Sequence, residues 1–381
     1  MFKRQTILLL LVVGALLASV GFFAGMHEGV RRARGEMSAL ATVPLVSETI
    51  WPIPETRTNG RIMGEFEHQA ALILGVNELV QFHQETLVEI IGAIRDRIKI
   101  IGIVADEEQR SKAVALLKAH HLPDDSILFF RWPVEAMWVR DYAPYFVIGE
   151  HPTVVDFNYP ERNRDFEDAF GVAFAASFRL HYDHCHLTFD GGNLTSNGAG
   201  LCVTTSKIAA RNQGRGYDDK RIGELLHDHF HFERWVRLTP LEDEPTSHAD
   251  MFITLCAVNK AIVGVYPMDE DPVNAQVLDH NASVLNGEPT AKGPLEVIRI
   301  PMPSHKDGNW RTYTNVMYAN GVVLVPQYPD TDPALDKVAL NVFREALPDW
   351  KVVGIDCSKL IVKRGALHCI SRNVPMLGDL R

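Results

Sequence analysis

The chain has 381 residues, 46% hydrophobic and 23% charged, with a formal net charge of -10. These values fit an ordered, enzyme-sized domain and exclude a disordered chain or a like-charge interaction tail. The acidic balance argues against a general nucleic-acid binder, which needs clustered Lys and Arg on the phosphate backbone. It suits cationic substrates, or serves only solubility.

At the N-terminus, Lys3 and Arg4 precede an uncharged run from Ile7 to Ala24, with Arg31, Arg32 and Arg34 beyond it. Such a run is just long enough to cross a bilayer. The poor small-x-small pattern around Ala18-Ser19-Val20-Gly21 favours an uncleaved signal anchor over a cleaved signal peptide. Residues 1–36 are therefore read as a membrane anchor or signal segment, with the catalytic domain exported to the periplasmic or extracellular face. The flanking charges nearly balance, so orientation stays open. Residues 37–65, with scattered Pro and Gly, read as a linker, and the folded domain, 66–381, starts near Glu67.

Apolar residues at Leu79, Phe82, Leu87, Val88, Ile91 and Ile94 predict a helix over 77–97, followed by a strand over 98–104. A helix over 107–119, a strand over 126–132 and a hairpin pairing 145–148 with 154–159 come next. Further helices are predicted at 219–230, 273–285 and 334–346, and strands at 235–238, 251–256, 261–266, 295–300 and 351–355. Asn320-Gly321, between two apolar runs, is a hairpin turn because both residues tolerate positive φ. Strand pairs and single helices thus alternate about five times, without the Gly-rich first turn of a dinucleotide fold. The pattern is a modular α/β architecture; periodicity does not show whether it closes on itself.

Three segments carry chemistry: Trp138-Val139-Arg140-Asp141, His248-Ala249-Asp250, and His368-Cys369. A thiol and an imidazole suit any cysteine hydrolase, but two further carboxylates fit a substrate that is itself a planar cation, a guanidinium. Cys369 lies in a loop after the last predicted strand, in a setting that allows partial exposure, and positive charge from His248, His368 or a bound cation would activate it. The bland reading is an inert buried cysteine. His248 and Asp250, two apart in extended backbone, would face one pocket, with the histidine as acid and base. Asp141 stands at a strand mouth, where a carboxylate can accept the parallel N–H donors of a guanidinium, or only pair with Arg140. Asp190-Gly191-Gly192-Asn193 reads as a tight turn suited to a pocket wall. Asn315 could donate to a tetrahedral intermediate or orient the thiol.

Alternating histidines at His227, His229 and His231, with His181, His184 and His186 nearby, lack firm ligand partners, so no metal is assigned. Cys185, Cys202, Cys256 and Cys357 are widely spaced and form no C-x-x-C pair.

Taken together and in order, Trp138-Val139-Arg140-Asp141, Asp190-Gly191-Gly192-Asn193, His248-Ala249-Asp250, Asn315 and His368-Cys369 resemble the signature of the bacterial-type peptidylarginine deiminase and agmatine deiminase family, over about residues 66–376. The resemblance implies a five-module α/β propeller, the pentein-like fold of the guanidine-modifying superfamily, and chemistry without cofactor or metal. It implies that Asp141 and Asp250 hold the guanidinium, that Cys369 attacks its carbon, and that His248 protonates departing ammonia and then activates water. Trp138, Asp190, Asn193 and Asn315 join the substrate-binding set. Three positions depart from the family pattern: Ala143 replaces a usual glycine, Arg364-Gly365-Ala366 a glycine-rich run, and Asp190 a common glutamate.

The expected substrate is a guanidinium-containing small molecule or an arginine-containing peptide. Arg162 and Arg164, two apart after the predicted hairpin, would jointly bind a peptide carboxylate, which with the exported N-terminus favours peptidylarginine over agmatine. A cysteine protease gives no reason for two carboxylates in the pocket, and a catalytically impaired membrane-anchored binding protein is the remaining alternative.

Overall fold

A computed structural model describes residues 48–49 and 60–376 of the chain. The anchor expected at residues 1–36, and most of the lead-in to residue 65, lie outside the described residues. Among the described residues no helix is long and apolar enough to cross a membrane.

Five sheets of three or four strands repeat one plan, and a two-stranded ribbon is added between Pro289–Thr290 and Gly293–Pro294. In the second sheet Tyr145–Ile148 runs antiparallel to Thr153–Asn158, and His181–Thr188 returns parallel to it. The third pairs Leu194–Ser196, Leu201–Thr205 and Arg234–Leu238 in the same way. The fourth uses Ile253–Ala257, Lys260–Val265 and Glu296–Pro301, and the fifth Met317–Tyr318, Val322–Gln327 and Lys351–Asp356. Each parallel return needs a crossover, which a helix supplies.

The first sheet is assembled from both ends of the domain. Gln69–Leu74, Lys99–Val104 and Leu128–Arg131 run parallel, and Ser371–Pro375 adds antiparallel to Gln69–Leu74. The folded part also begins before Glu67, because Arg61–Ile62 pairs with Tyr145–Ile148 in the second sheet.

Local chemistry sets these elements. Helices Pro272–Leu285 and Pro333–Ala346 start alike: an Asp N-cap, Asp271 or Asp332, accepts first-turn N–H groups, and proline occupies the first helical position. Val322–Gln327 is buried along nearly its whole length, which explains its unbroken apolar run. Asn320 and Gly321 have φ of 45° and 82°, as the hairpin turn requires.

The helix expected over 77–97 is two, Val76–Phe82 and Gln84–Ile94, broken at His83. The break shifts the helical phase, so Phe82 is exposed while Leu79, Leu87, Ile91 and Ile94 are buried. Helix Phe170–Phe178 and strand His181–Thr188 are further additions to the expected pattern.

The chain passes from each sheet to the next through five links, residues 132–144, 189–193, 239–252, 302–316 and 357–370. Every residue of the three chemical segments, together with Asp190, Asn193 and Asn315, lies on one of these links.

Candidate active site

Asp141 is carried by the short helix Val139–Tyr142, just ahead of the strand Tyr145–Ile148. His248 and Asp250 leave the extended pattern, since Ala249–Met251 form a 3-10 turn and the strand begins at Ile253. The turn nonetheless brings both to one point. A Cβ added at Gly192 would lie 2.8 Å from His248 Nδ1, 2.9 Å from Asp141 Oδ1 and 3.0 Å from Asp250 Oδ2. Three catalytic-type groups therefore surround a position with no side chain, and only glycine fits there. The Gly192 N–H donates to Asp141 Oδ1 at 3.0 Å and fixes that carboxylate.

Cys369 Sγ lies 3.8 Å from Asp250 Oδ2 and accepts from Asn315 Nδ2 at 3.2 Å. Asn315 Oδ1 accepts the backbone N–H groups of His368 and Cys369. The nucleophile candidate is buried, at 4% exposure, rather than partly exposed. Burial, then the charges of Asp250 and Asp141, push its thiol well above the usual range. A bound cation between those carboxylates would reverse the second effect. The other four cysteines are buried and unbridged, so no disulfide competes for Cys369.

His248 Nε2 lies 2.9 Å from Asp190 Oδ2, and Nδ1 lies 3.7 Å from Asp141 Oδ1. Burial alone would lower the imidazole, but Asp141 and Asp190 outweigh it and raise it above its ordinary value. Asp141 is pushed up to about 6, first by burial and then by Asp190 and Asp250. Asp190 goes the other way: burial opposes ionisation, but His248, Lys207 and Arg211 together hold it below the usual range. Lys207 Nζ and Arg211 Nη2 approach Asp190 Oδ2 at 2.7 and 3.1 Å. Asp190 is thus the partner that orients and charges His248, and the cations behind it fix its own position.

Asn193 is a scaffold within the same link. Its Oδ1 accepts from the Thr205 N–H and hydroxyl and from the Ala249 N–H, tying the 189–193 link to the turn that carries His248. Trp138 lies beside the nucleophile, where a Cβ at Gly365 would meet both the Trp138 ring and Cys369 Cβ.

These groups open onto a cavity of about 300 Å³ lined by Trp138, Asp141, Asp190, His248 and Cys369, with Tyr159, Glu161, Arg164, Lys363 and Arg364 among the residues further out. Asp250 is not part of this lining; it lies beneath, against Cys369. Arg164 lines the cavity and also pairs with Glu135 and Glu167. Arg162 is exposed and does not line it. Asn163 between them has φ of 59°, so the two arginines lose the common face an extended chain would give them. The expected joint carboxylate site therefore reduces to Arg164.

Sequence reasoning missed Glu65, Lys207 and Arg211. Glu65 bonds His368 Nε2 at 3.1 Å and pairs with buried Arg140, so the segment taken as linker reaches the site. Its only sequence signal was a carboxylate matching an internal arginine. The histidine cluster lies on strand His181–Thr188 and the end of helix Asp219–Phe230, where His229 Nδ1 meets Asp183 Oδ2 at 2.7 Å. Among the described residues no group of three or more His, Cys, Asp or Glu is arranged to hold a metal ion.

Comparison with known proteins gives the fold and the family. The solved structure of a provisionally named arginine deiminase from Porphyromonas gingivalis covers 83% of this chain and 98% of its own, at 22% identity and TM-score 0.73. The agmatine deiminase of Enterococcus faecalis covers 85% and 99%, at 20% identity and TM-score 0.72. These likenesses show a pentein-like α/β fold. A protein of Selenomonas ruminantium, provisionally named agmatine deiminase, is 24% identical over 77% of this chain and 88% of its own length. The model of the Porphyromonas-type peptidyl-arginine deiminases matches residues 54–375. With an imidazole and two carboxylates gathered around Gly192 and a thiol against one of those carboxylates, the chain belongs to the Porphyromonas-type peptidyl-arginine deiminase family, hydrolases that act on guanidino groups.

Proposed function

We propose that this protein hydrolyses the guanidinium of arginine at a peptide terminus, giving a citrulline residue and ammonia through a covalent Cys369 intermediate. The observation that carries the reading is the convergence of His248, Asp141 and Asp250 on Gly192, with Cys369 Sγ 3.8 Å from Asp250 Oδ2. A flat cation over Gly192 would meet carboxylates through its N–H groups and the sulfur through its carbon. Five units arranged as a propeller around the cavity, one link from each, account for residues so distant in sequence meeting there.

The steps balance as follows. The guanidinium charge offsets Asp141 and Asp250 and lets the thiol ionise, its proton passing to solvent; the thiolate then adds to the guanidinium carbon. His248, protonated, gives its proton to the departing nitrogen, and ammonia leaves an S-alkylthiouronium on Cys369. Neutral His248 then takes a proton from water as the oxygen adds to that carbon. As the C–S bond breaks, the remaining proton on the added oxygen passes to the departing Cys369 sulfur, leaving the neutral ureido product, the thiol and protonated His248 as at the start.

The cavity mouth supports a carboxylate-bearing substrate over agmatine. Arg164, Lys363 and Arg364 line the cavity together with an acidic neighbour, Glu161; Arg164 pairs with Glu135 and Glu167, while among the described residues Lys363 and Arg364 make no ion pair. Cations there attract a terminal carboxylate and repel the far ammonium of agmatine. A second cavity of about 190 Å³ shares Pro245 and Arg364 with the first, giving room for a neighbouring residue. Membrane attachment through residues 1–36, with the domain exported, belongs to the same reading. Retention of the full chain in the soluble fraction would remove that part.

The experiment is a measurement of ammonia and ureido product from peptides with C-terminal or internal arginine, free arginine and agmatine. Highest kcat/KM on C-terminal arginine supports the proposal, and preference for agmatine replaces it with the agmatine deiminase reading.

A further inference from the structure

His368 immediately precedes the nucleophile, is buried, and does not line the cavity. Its Nδ1 lies 2.7 Å from Asp250 Oδ2 and its Nε2 lies 3.1 Å from Glu65 Oε2. Both ring nitrogens of His368 thus sit at hydrogen-bond distance from a carboxylate oxygen, and the imidazole bridges Asp250 to Glu65. Glu65 is ionised: burial pushes its carboxyl up, but Arg140 and His368 together hold it well below the usual range. Arg140 bonds the other Glu65 oxygen and donates to the His368 carbonyl, so the outer end of the row is anchored. Arg140, Glu65, His368 and Asp250 thus form one hydrogen-bonded row.

The inner end of the row meets the chemistry. Asp250 Oδ2, bonded to His368, is the oxygen nearest Cys369 Sγ, while Oδ1 is buried without a hydrogen-bond partner. A buried carboxylate oxygen left unpaired is costly unless a ligand completes it.

We propose that His368, braced by Glu65, is a positioning residue: it holds Asp250 so that Oδ2 faces Gly192 and Cys369 Sγ while Oδ1 stays unpaired, the pair of oxygens a cationic group would engage. The inference rests on the reading that Asp250 grips a guanidinium. It predicts that the site's preference for cationic over neutral reagents depends on a side chain that never touches substrate.

The test compares labelling of Cys369 in the full-length protein by 2-chloroacetamidine, an amidinium, and by iodoacetamide, which is neutral. His368→Gln is expected to slow the amidinium reagent by about tenfold or more relative to iodoacetamide, the size of a lost charge-assisted hydrogen bond. Glu65→Gln, which keeps the shape of the side chain, is expected to shift the ratio less and in the same direction. General loosening of the loop would change both rates together. An unchanged ratio in His368→Gln overturns the inference, and if that variant does not fold, an unchanged ratio in Glu65→Gln does so. Because labelling needs no turnover, a wild-type protein inactive on every guanidine would end the deiminase reading while this ratio still decides the role of His368.

Discussion

Asn315 holds the nucleophile from two sides: its Nδ2 donates to Cys369 Sγ at 3.2 Å while its Oδ1 accepts the Cys369 backbone N–H at 3.3 Å. One amide thus fixes both the main chain and the sulfur of the proposed nucleophile. Replacing it by alanine removes a donor to the developing thiolate, and replacing it by aspartate puts a negative charge in its place. Asn315→Ala should lower kcat by roughly tenfold to hundredfold, and Asn315→Asp by more. Single-turnover ammonia release measures both, and wild-type rates in Asn315→Asp would remove this role.

Gly192 separates structure from function. Its missing side chain leaves the point where His248, Asp141 and Asp250 converge. A methyl group there fills the position proposed for the guanidinium without entering a hydrophobic core. Gly192→Ala should therefore lose about a hundredfold or more in kcat/KM, while Tm moves by no more than a few degrees. Thermal melts beside kinetics decide it; intact turnover would show that the guanidinium lies elsewhere.

The Asp190–His248 pair sets the alkaline side of the pH profile. Asp141 and Asp190 raise the imidazole, so the protonated acid persists to higher pH than a free histidine allows. Activity on kcat/KM should rise through the titration of Asp141, about 6, and fall as His248 loses its proton. Asp190→Asn should move the falling limb to lower pH. An unmoved limb would mean that His248 is not the group responsible for it.

Asp141 carries a stability cost tied to its use. Its carboxyl is raised in the folded state, so the folded protein binds that proton more tightly than the unfolded chain. The resulting stabilisation is complete below the ordinary aspartate range and is lost as pH rises through about 6. Asp141→Asn should thus be more stable than wild type at pH 7, by on the order of 1 kcal/mol, with the gain vanishing near pH 4. Denaturant melts at the two pH values, compared with activity, test the trade: a variant that is inactive but no more stable would contradict it.

Much of this site is readable from short motifs because each functional residue sits on a link with its own local signal. Asp190-Gly191-Gly192-Asn193 announces a turn, and Asn320-Gly321 a hairpin, through backbone rules that act over a few residues. The helices capped by Asp-Pro, at Pro272 and Pro333, are legible for the same reason. Long-range pairing is not: Ser371–Pro375 joins Gln69–Leu74 across the whole domain, and nothing within either segment names its partner. Glu65 and Lys207 reach Arg140, His368 and Asp190 through tertiary contacts alone. Strand His181–Thr188 hides behind four polar residues in its first half, because that part is only partly covered in the fold. Asn163 shows the converse, one left-handed residue cancelling an inference drawn from extended spacing.

The central claim is that Cys369 forms a covalent bond to a guanidinium carbon. Acid-quenching the enzyme during turnover of a peptide ending in arginine, and identifying the modified residue by mass spectrometry, tests it most directly. An amidino adduct on Cys369 should accumulate with ammonia and clear as ureido product forms, and Cys369→Ala should give neither adduct nor ammonia. Ammonia release at the wild-type rate from Cys369→Ala would contradict it.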